Sequence, residues 1–333
     1  MASSVTASAD RPSRPVGRRH GRRRRWTFDR ISFFVVFIGI PLALFIIFVI
    51  SPFVQAIYYS LTDWHGFTAG KNFVGWRNYR QLFHDSNFRK SVRNSIELGL
   101  VVPFVTIVLA LTLSTFVTVG GSGAGRLGGL RRSNVYRVVS FFPYCIPAIV
   151  IGIIWSQVYD PGNGILNSIL TGIGLHRFQN YAWLGDSSTA MPASMFAIIW
   201  GFVGFYMVLF IAAIRGVDAD VFEAARIDGA GRMRTALSIT IPLIRDTIQT
   251  AYIYLGIAAL DSFVYMAALN PNGGPQNSTL TMSQDLFITA FKQGEYGYAT
   301  AMGVMLAVVT LVFAALVFIV NYVTGGRDKG AKK

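Results

Sequence analysis

The strongest constraint on this chain is the recurrence of long apolar stretches. Six runs, approximately 31–51, 95–119, 136–158, 191–214, 247–268 and 299–323, have the length and composition to cross a bilayer, whose hydrocarbon core takes about 20 mostly apolar residues in helical form. Lipid gives backbone amides no hydrogen-bond partners, so runs of this Leu, Val and Ile content are expected to be helices. Composition agrees: 53% of residues are hydrophobic, 14% are charged and the mean hydropathy is +0.47. The expected fold class is an all-α integral membrane protein with six transmembrane helices.

The 30 Lys and Arg residues are unevenly placed. Most lie in the tail before the first run, the 120–137 and 215–246 segments and the tail after residue 323. Cytoplasmic loops retain positive charge during insertion, so both termini and these two loops are expected on the cytoplasmic side of a bacterial plasma membrane. The segment between the first two runs opposes this trend with Lys71, Arg77, Arg80, Arg89, Lys90 and Arg93. The domain plan is a basic tail over 1–30, one six-span domain over 31–325 and a short basic tail over 326–333. The first tail is rich in Ser, Pro and Arg and poor in large apolar residues, a composition expected to be disordered. Its run from Arg18 to Arg25 reads as a topogenic anchor attracted to anionic headgroups, with no nucleic-acid role assigned.

Several function classes lack the residues they need. A phosphate-cradling Gly-x-x-x-x-Gly-Lys-Ser/Thr loop does not occur, and the glycines of 120–125 follow an apolar run without a succeeding Lys-Ser or Lys-Thr. No Ser/His/Asp or paired-carboxylate arrangement suggests catalysis. The histidines, His20, His65, His84 and His176, lack ligand spacing, and the single Cys145, between Pro143 and Pro147, reads as a packing residue. Catalytic residues, a metal site and a cofactor bound by this chain are therefore not expected.

One polar loop, about 216–246, stands out between the fourth and fifth runs. It contains Glu223-Ala224-Ala225-Arg226-Ile227-Asp228-Gly229 and then Ile239-Thr240-Ile241-Pro242. Asp218 and Asp220 suit a helix start, the alanines favour helix, and Gly229 suits the left-handed residue that ends one. Pro242 is expected in the first turn of the next apolar helix. The loop thus reads as helix, glycine turn, helix, span.

These residues resemble the EAA loop of permease subunits from binding-protein-dependent ABC importers: Glu-Ala-Ala, three residues, Gly, nine residues, then Ile-x-Leu-Pro, here with Ile241 in place of Leu. Asn72-Phe73-Val74-Gly75-Trp76-Arg77-Asn78-Tyr79, Phe142-Pro143-Tyr144 with Pro147, Asn272-Gly273-Gly274-Pro275 and Gly297-Tyr298-Ala299-Thr300-Ala301-Met302 are similar to elements of the maltose-type carbohydrate permeases. The resemblance implies the type I ABC importer permease fold and a non-catalytic transport subunit. It also implies a second permease as heterodimer partner, a cytoplasmic ATPase dimer that binds ATP and Mg, and an extracytoplasmic solute-binding protein. Glu223 would hold the loop helices together, Gly229 would permit the turn, and Ala224, Ala225, Ile227 and Ala230 would offer an apolar surface to the ATPase, with Asp228 and Pro242 completing the coupling element. Ala236 falls where carbohydrate importers carry an aromatic, which implies a shallower plug.

A candidate substrate site follows from the cost of an ionisable group inside the membrane. Asp261 lies in the fifth run beside Ser262, with Tyr252, Tyr254, Phe263 and Tyr265 nearby. That mixture suits hydroxyl hydrogen bonding and stacking on sugar faces, and the same residues equally suit a structural pairing across helices. The resemblance adds Phe202, Phe205 and Tyr206 in the fourth run, and Tyr144 in the third is placed to offer a hydroxyl where Pro143 and Pro147 open the helix. Glu97 reads either as an entry-side acid or as the partner of Arg93, four residues earlier. The function implied is ATP-driven sugar import; a polyol or glycerol-phosphate permease, or an ATP-independent secondary transporter, are the alternatives.

Overall fold

The structure, a computed structural model, describes residues 32–66, 70–118 and 133–330. The expected N-terminal tail and the glycine-rich 120–125 segment lie outside the described residues, as does the end of the C-terminal tail. Two compact units are present, Met1–Val54 and Gln55–Lys333. Helix α1 (Ser32–Tyr59) makes up the described part of the first and runs into the second.

The second unit continues with α2 (Arg77–His84), α3 (Ser86–Thr118), α4 (Ser133–Phe141), α5 (Ala148–Val158), α6 (Ile165–Gly172) and α7 (Ala190–Arg215). There follow α8 (Ala219–Ile227), α9 (232–243), α10 (Arg245–Leu260), α11 (Phe263–Leu269), α12 (282–292) and α13 (Tyr296–Gly330). Four helices, α1, α3, α7 and α13, are long and apolar enough to cross a membrane, and the count rises to six if two bent pairs are each one span.

The two pairs break where the sequence cannot sustain a helix. The α4 and α5 axes differ by 98° across Pro143 and Pro147. Ile146 is extended (φ −83°, ψ 132°) because the ring of the following proline disfavours helical backbone in the residue before it. The α10 and α11 axes differ by 48° across Asp261 and Ser262, short polar residues that are poor helix formers in an otherwise apolar run.

Helices α3, α7 and α10 share one core, in which Leu98, Val102, Ile198, Phe210, Leu255 and Met266 of α11 are buried. Close approaches are made at small residues. A Cβ on Gly204 of α7 would stand 1.6 Å from the Ser140 carbonyl oxygen of α4, and one on Gly152 of α5 would stand 2.4 Å from Ala268 Cβ of α11. A second core joins Tyr79, Leu82 and Phe88 to Met282, Tyr298 and Met302.

Buried polar groups tie the segments between spans to this frame. Asn78 donates to the carbonyls of Ser60 and Thr62 at 2.8 and 2.9 Å, and the Tyr79 and Ser60 hydroxyls lie 2.7 Å apart. Asp63 accepts from the Asn72 backbone N–H at 2.8 Å and from its side chain at 3.2 Å, which holds the Asp63 carboxyl below its usual range. Asn94 donates to the Leu280 carbonyl, Asn270 to Ser194 Oγ, and Gln284 to the Asn270 carbonyl. The Asn72–Tyr79 motif therefore pins the turn after α1, the Asn272–Pro275 turn is closed by the Gly273 N–H on the Asn270 carbonyl and the Thr279 N–H on the Gly273 carbonyl, and the amides of Asn78, Asn94, Asn270 and Gln284 each meet an oxygen acceptor.

Candidate functional site

The loop after α7 has the expected order of helix, turn, helix. Asp218 caps α8 by accepting from the Asp220 N–H at 3.2 Å, so its carboxylate satisfies one of the free donors at the helix start. At the other end Gly229 adopts φ +72°. Its N–H donates to the Arg226 carbonyl at 3.0 Å, and the Ala230 N–H reaches back to the Ala225 carbonyl at 2.9 Å. This paired closure needs a left-handed residue, which glycine supplies without steric cost.

Burial separates anchors from presented residues. Phe222 is 2% exposed and joins the core of α3, α7 and α10, while Ile227 is 86% and Met233 69% exposed. Ala225 departs from the expected docking face: at 5% exposure it packs inward, one turn from Phe222 on the buried face of α8. Ala224 and Asp228 are exposed and Ala230 is half-buried. Glu223 is exposed, and no hydrogen bond or ion pair among the described residues ties it to α9. The turn is closed by the backbone of residues 225–230.

Pro242 also departs from expectation. It lies near the end of α9, whose turns widen over Ala236–Thr240, and the next span begins at Arg245 after a break at Ile244 (φ −101°, ψ 14°). The wider turn accommodates a ring that has no N–H to offer and crowds the preceding turn. Ala236 is buried, and Met233 and Leu237 with Val108, Leu111 and Phe116 line a groove of about 300 Å³ between α9 and the end of α3. Of the large apolar side chains of this loop, Ile227 and Met233 are the most exposed, ahead of Leu237 at 57% and Leu243 at 54%.

The proposed substrate residues fall into two groups. Tyr144, at the break between α4 and α5, stacks on Phe205 of α7 at 4.5 Å between ring centroids and lies 6.2 Å from Phe202. Phe202 lies 6.2 Å from Tyr265 of α11, which therefore belongs to the same aromatic set. Tyr206 is a core residue at 5% exposure, with its ring against Phe205 and Phe210.

Asp261 is exposed at the α10–α11 break, whereas Ser262 is 2% exposed with its hydroxyl unpartnered among the described residues. Of the aromatic residues expected around Asp261, only Tyr265 reaches the Tyr144 group. Tyr252 stacks on Phe313, Phe263 packs against Phe287, and Tyr254 is 69% exposed. Glu97 and Arg93 are exposed and not within ion-pair distance of each other. Cys145 is exposed, contrary to its reading as a packing residue.

Comparison with known proteins follows the same outline. Residues 117–325 match the family model described as binding-protein-dependent transport system inner membrane component. The chain is 58% identical to a diacetylchitobiose uptake system permease protein of Streptomyces coelicolor, over 94% of this chain and 88% of that one. It is 26% identical to an sn-glycerol-3-phosphate transport system permease protein of Salmonella typhi, over 83% of this chain and 90% of that one. Among solved structures, a bacterial ABC transporter involved in import of the acidic polysaccharide alginate matches with a TM-score of 0.73 at 20% identity, covering 88% of this chain and 96% of the other.

Proposed function

The chain belongs to the family of binding-protein-dependent transport system inner membrane components, and from that premise we propose that it is one permease of an ATP-driven importer whose cargo is a short N-acetylated oligosaccharide. The observation that carries the cargo is the 58% identity over nearly the whole chain to a diacetylchitobiose uptake permease. The aromatic set is chemically suited to it. Tyr144, Phe202, Phe205 and Tyr265 offer ring faces for sugar C–H surfaces together with two hydroxyls, and Asp261, in the broken span that also holds Tyr265, offers a carboxylate to ring hydroxyls.

In this reading a second permease completes the pathway, an extracytoplasmic binding protein delivers the sugar, and an ATPase dimer with ATP and Mg drives the cycle from the cytoplasm. Residues 218–242 couple the ATPase to the spans. Phe222 roots α8 in the core, so a push on Ile227 and Met233 is passed to α3, α7 and α10 as a rigid displacement. The glycerol-phosphate reading has a relative at 26% identity, and none of Tyr144, Phe202, Phe205 and Tyr265 carries a positive charge for a phosphate.

The test is uptake of labelled diacetylchitobiose by host cells lacking this chain. Uptake should be absent, should return with the wild type, and should return to less than a tenth with Asp261→Ala while the complex still co-purifies. Undiminished sugar uptake in the deletion strain, with loss of glycerol 3-phosphate uptake instead, would transfer the chain to the second reading. Sugar uptake that persists after depletion of cellular ATP would point to a secondary transporter.

A further inference from the structure

Between α5 and α7 the chain leaves the spans, and the short helix α6 has a face that nothing among the described residues covers. Ile165, Ile169 and Ile173 are 61%, 57% and 69% exposed. Their four-residue spacing aligns them in one stripe. Ser168, on the same side, turns its hydroxyl back to the Gly164 carbonyl at 3.1 Å, and Thr171 donates to the Asn167 carbonyl at 2.8 Å.

The opposite face is fixed to the protein. Asn167 is buried, donates to the Tyr181 carbonyl at 2.9 Å and accepts from Trp183 Nε1 at 2.7 Å. The polar side chains of α6 are therefore satisfied within the chain, so its outer face presents three isoleucines and no polar group seeking a partner. Water does not require that arrangement, but hydrocarbon does.

Two further features identify the surface this face meets. Trp183 is stacked on Phe178, 5.3 Å away at 13°, and lies 6.5 Å from Tyr159, giving the aromatic girdle characteristic of a membrane–water boundary. From residue 161 to residue 185 the sequence has no Asp or Glu, and its one full charge is Arg177, next to His176. A segment so poor in charge between Asp160 and Asp186 can lie against a bilayer, where ionisable groups are costly. Chain order places α6 at the end of α7 opposite the 216–244 loop, at the level where α5 and α7 begin or end.

We infer that α6 is an interfacial anchor lying in the plane of the bilayer, with Ile165, Ile169 and Ile173 among the acyl chains and Arg177 at the headgroups. Through residues 159–164 it fixes the depth of α5, the second half of the bent pair that carries Tyr144 at its break.

The experiment uses the intact transporter complex. Cys145, the only cysteine, is replaced by Ser, single cysteines are placed at 165, 169, 173 and, as an aqueous control, 187, and each is spin-labelled in nanodiscs containing phosphatidylglycerol. Collision with oxygen should exceed collision with a water-soluble nickel chelate several-fold at 165, 169 and 173, with the reverse at 187. Brominated lipid should quench a bimane on the same three sites by at least half, which provides a second readout where one label perturbs the helix. Ready nickel access at these sites would overturn the proposal. So would labels shielded from both reagents and unquenched by lipid, which would assign the face to another subunit.

Discussion

Gly229 shows how much a single residue can dictate in this chain. Its φ of +72° is enforced by the two backward hydrogen bonds that close α8, and no atom lies within 4 Å of the position a Cβ would take. The penalty for a side chain is therefore backbone strain alone, about 1–2 kcal/mol for an ordinary residue and less for Asn, which tolerates this conformation. Gly229→Asn is expected to keep the ATPase in a mild-detergent pull-down near the wild-type level, and Gly229→Val to lose most of it. Equal retention by both variants would mean that the turn does not position the docking surface. This residue was legible in the sequence because the requirement is local. Asp285 was not, because its behaviour depends on burial and on a residue 200 positions away. Burial, then the charge of Asp85, raise its carboxyl to about 6, against a hydrogen bond from Ser91 that pulls it down. Its ionised form is the disfavoured one in the folded chain, so its contribution to stability is complete below the ordinary value of 3.8 and is lost as pH rises through about 6. The shift sets an upper bound of about 3 kcal/mol. Asp285→Asn should raise the unfolding temperature at pH 7.5 and flatten its change between pH 5 and 7.5; a wild type that becomes more stable across that interval would contradict this.

At the scale of elements, the sequence showed where helices must break more clearly than which way their faces turn. Pro143 and Pro147 announce the α4–α5 break through covalent geometry, whatever surrounds them. The break at Asp261 has a weaker sign, two polar residues in an apolar run, which suit a ligand contact as well as a bend. Faces were harder still. Ala225 and Ile227 stand two residues apart in one motif, yet the first packs inward and the second is 86% exposed, because the burial of Phe222 fixes the rotation of α8. The two positions should respond in opposite ways. Ile227→Asp leaves the fold within about 0.5 kcal/mol of the wild type, as exposed substitutions do, and is expected to abolish ATPase co-purification. Phe222→Ala removes a buried ring and should cost about 3–5 kcal/mol of stability, lowering the amount of folded protein before any effect on coupling. Measuring monodisperse yield and bound ATPase for both variants separates the two roles; a docked ATPase with Ile227→Asp would remove that residue from the interface.

Across the whole molecule, the six apolar runs, their order and the polar loop between the fourth and fifth could be read from composition and spacing, and Tyr144, Phe202 and Phe205 could be named as candidates, while what brings these rings together could not be read. Tyr144 and Phe205 come from segments distant in sequence and meet where α4 and α7 approach closely at Gly204, at which a Cβ would stand 1.6 Å from the Ser140 carbonyl oxygen, and Tyr265 of α11 joins them through Phe202. Neither backbone can yield there without moving a helix. The aromatic set and the close approach are thus one arrangement, since the same translation that relieved a side chain at position 204 would separate Tyr144 from Phe205. Gly204→Ala is expected to displace α4 and to reduce sugar uptake more than it reduces assembly, and Gly204→Val, with two further methyl groups to place, to cost at least the roughly 1–3 kcal/mol typical of an overpacked core and to lower the yield of folded complex. A loosened stack should also leave Tyr144 more open to iodination in the Ala variant than in the wild type. If Gly204→Ala transported sugar at the wild-type rate with Tyr144 equally protected, the contact between α4 and α7 would not be what holds the aromatic set together.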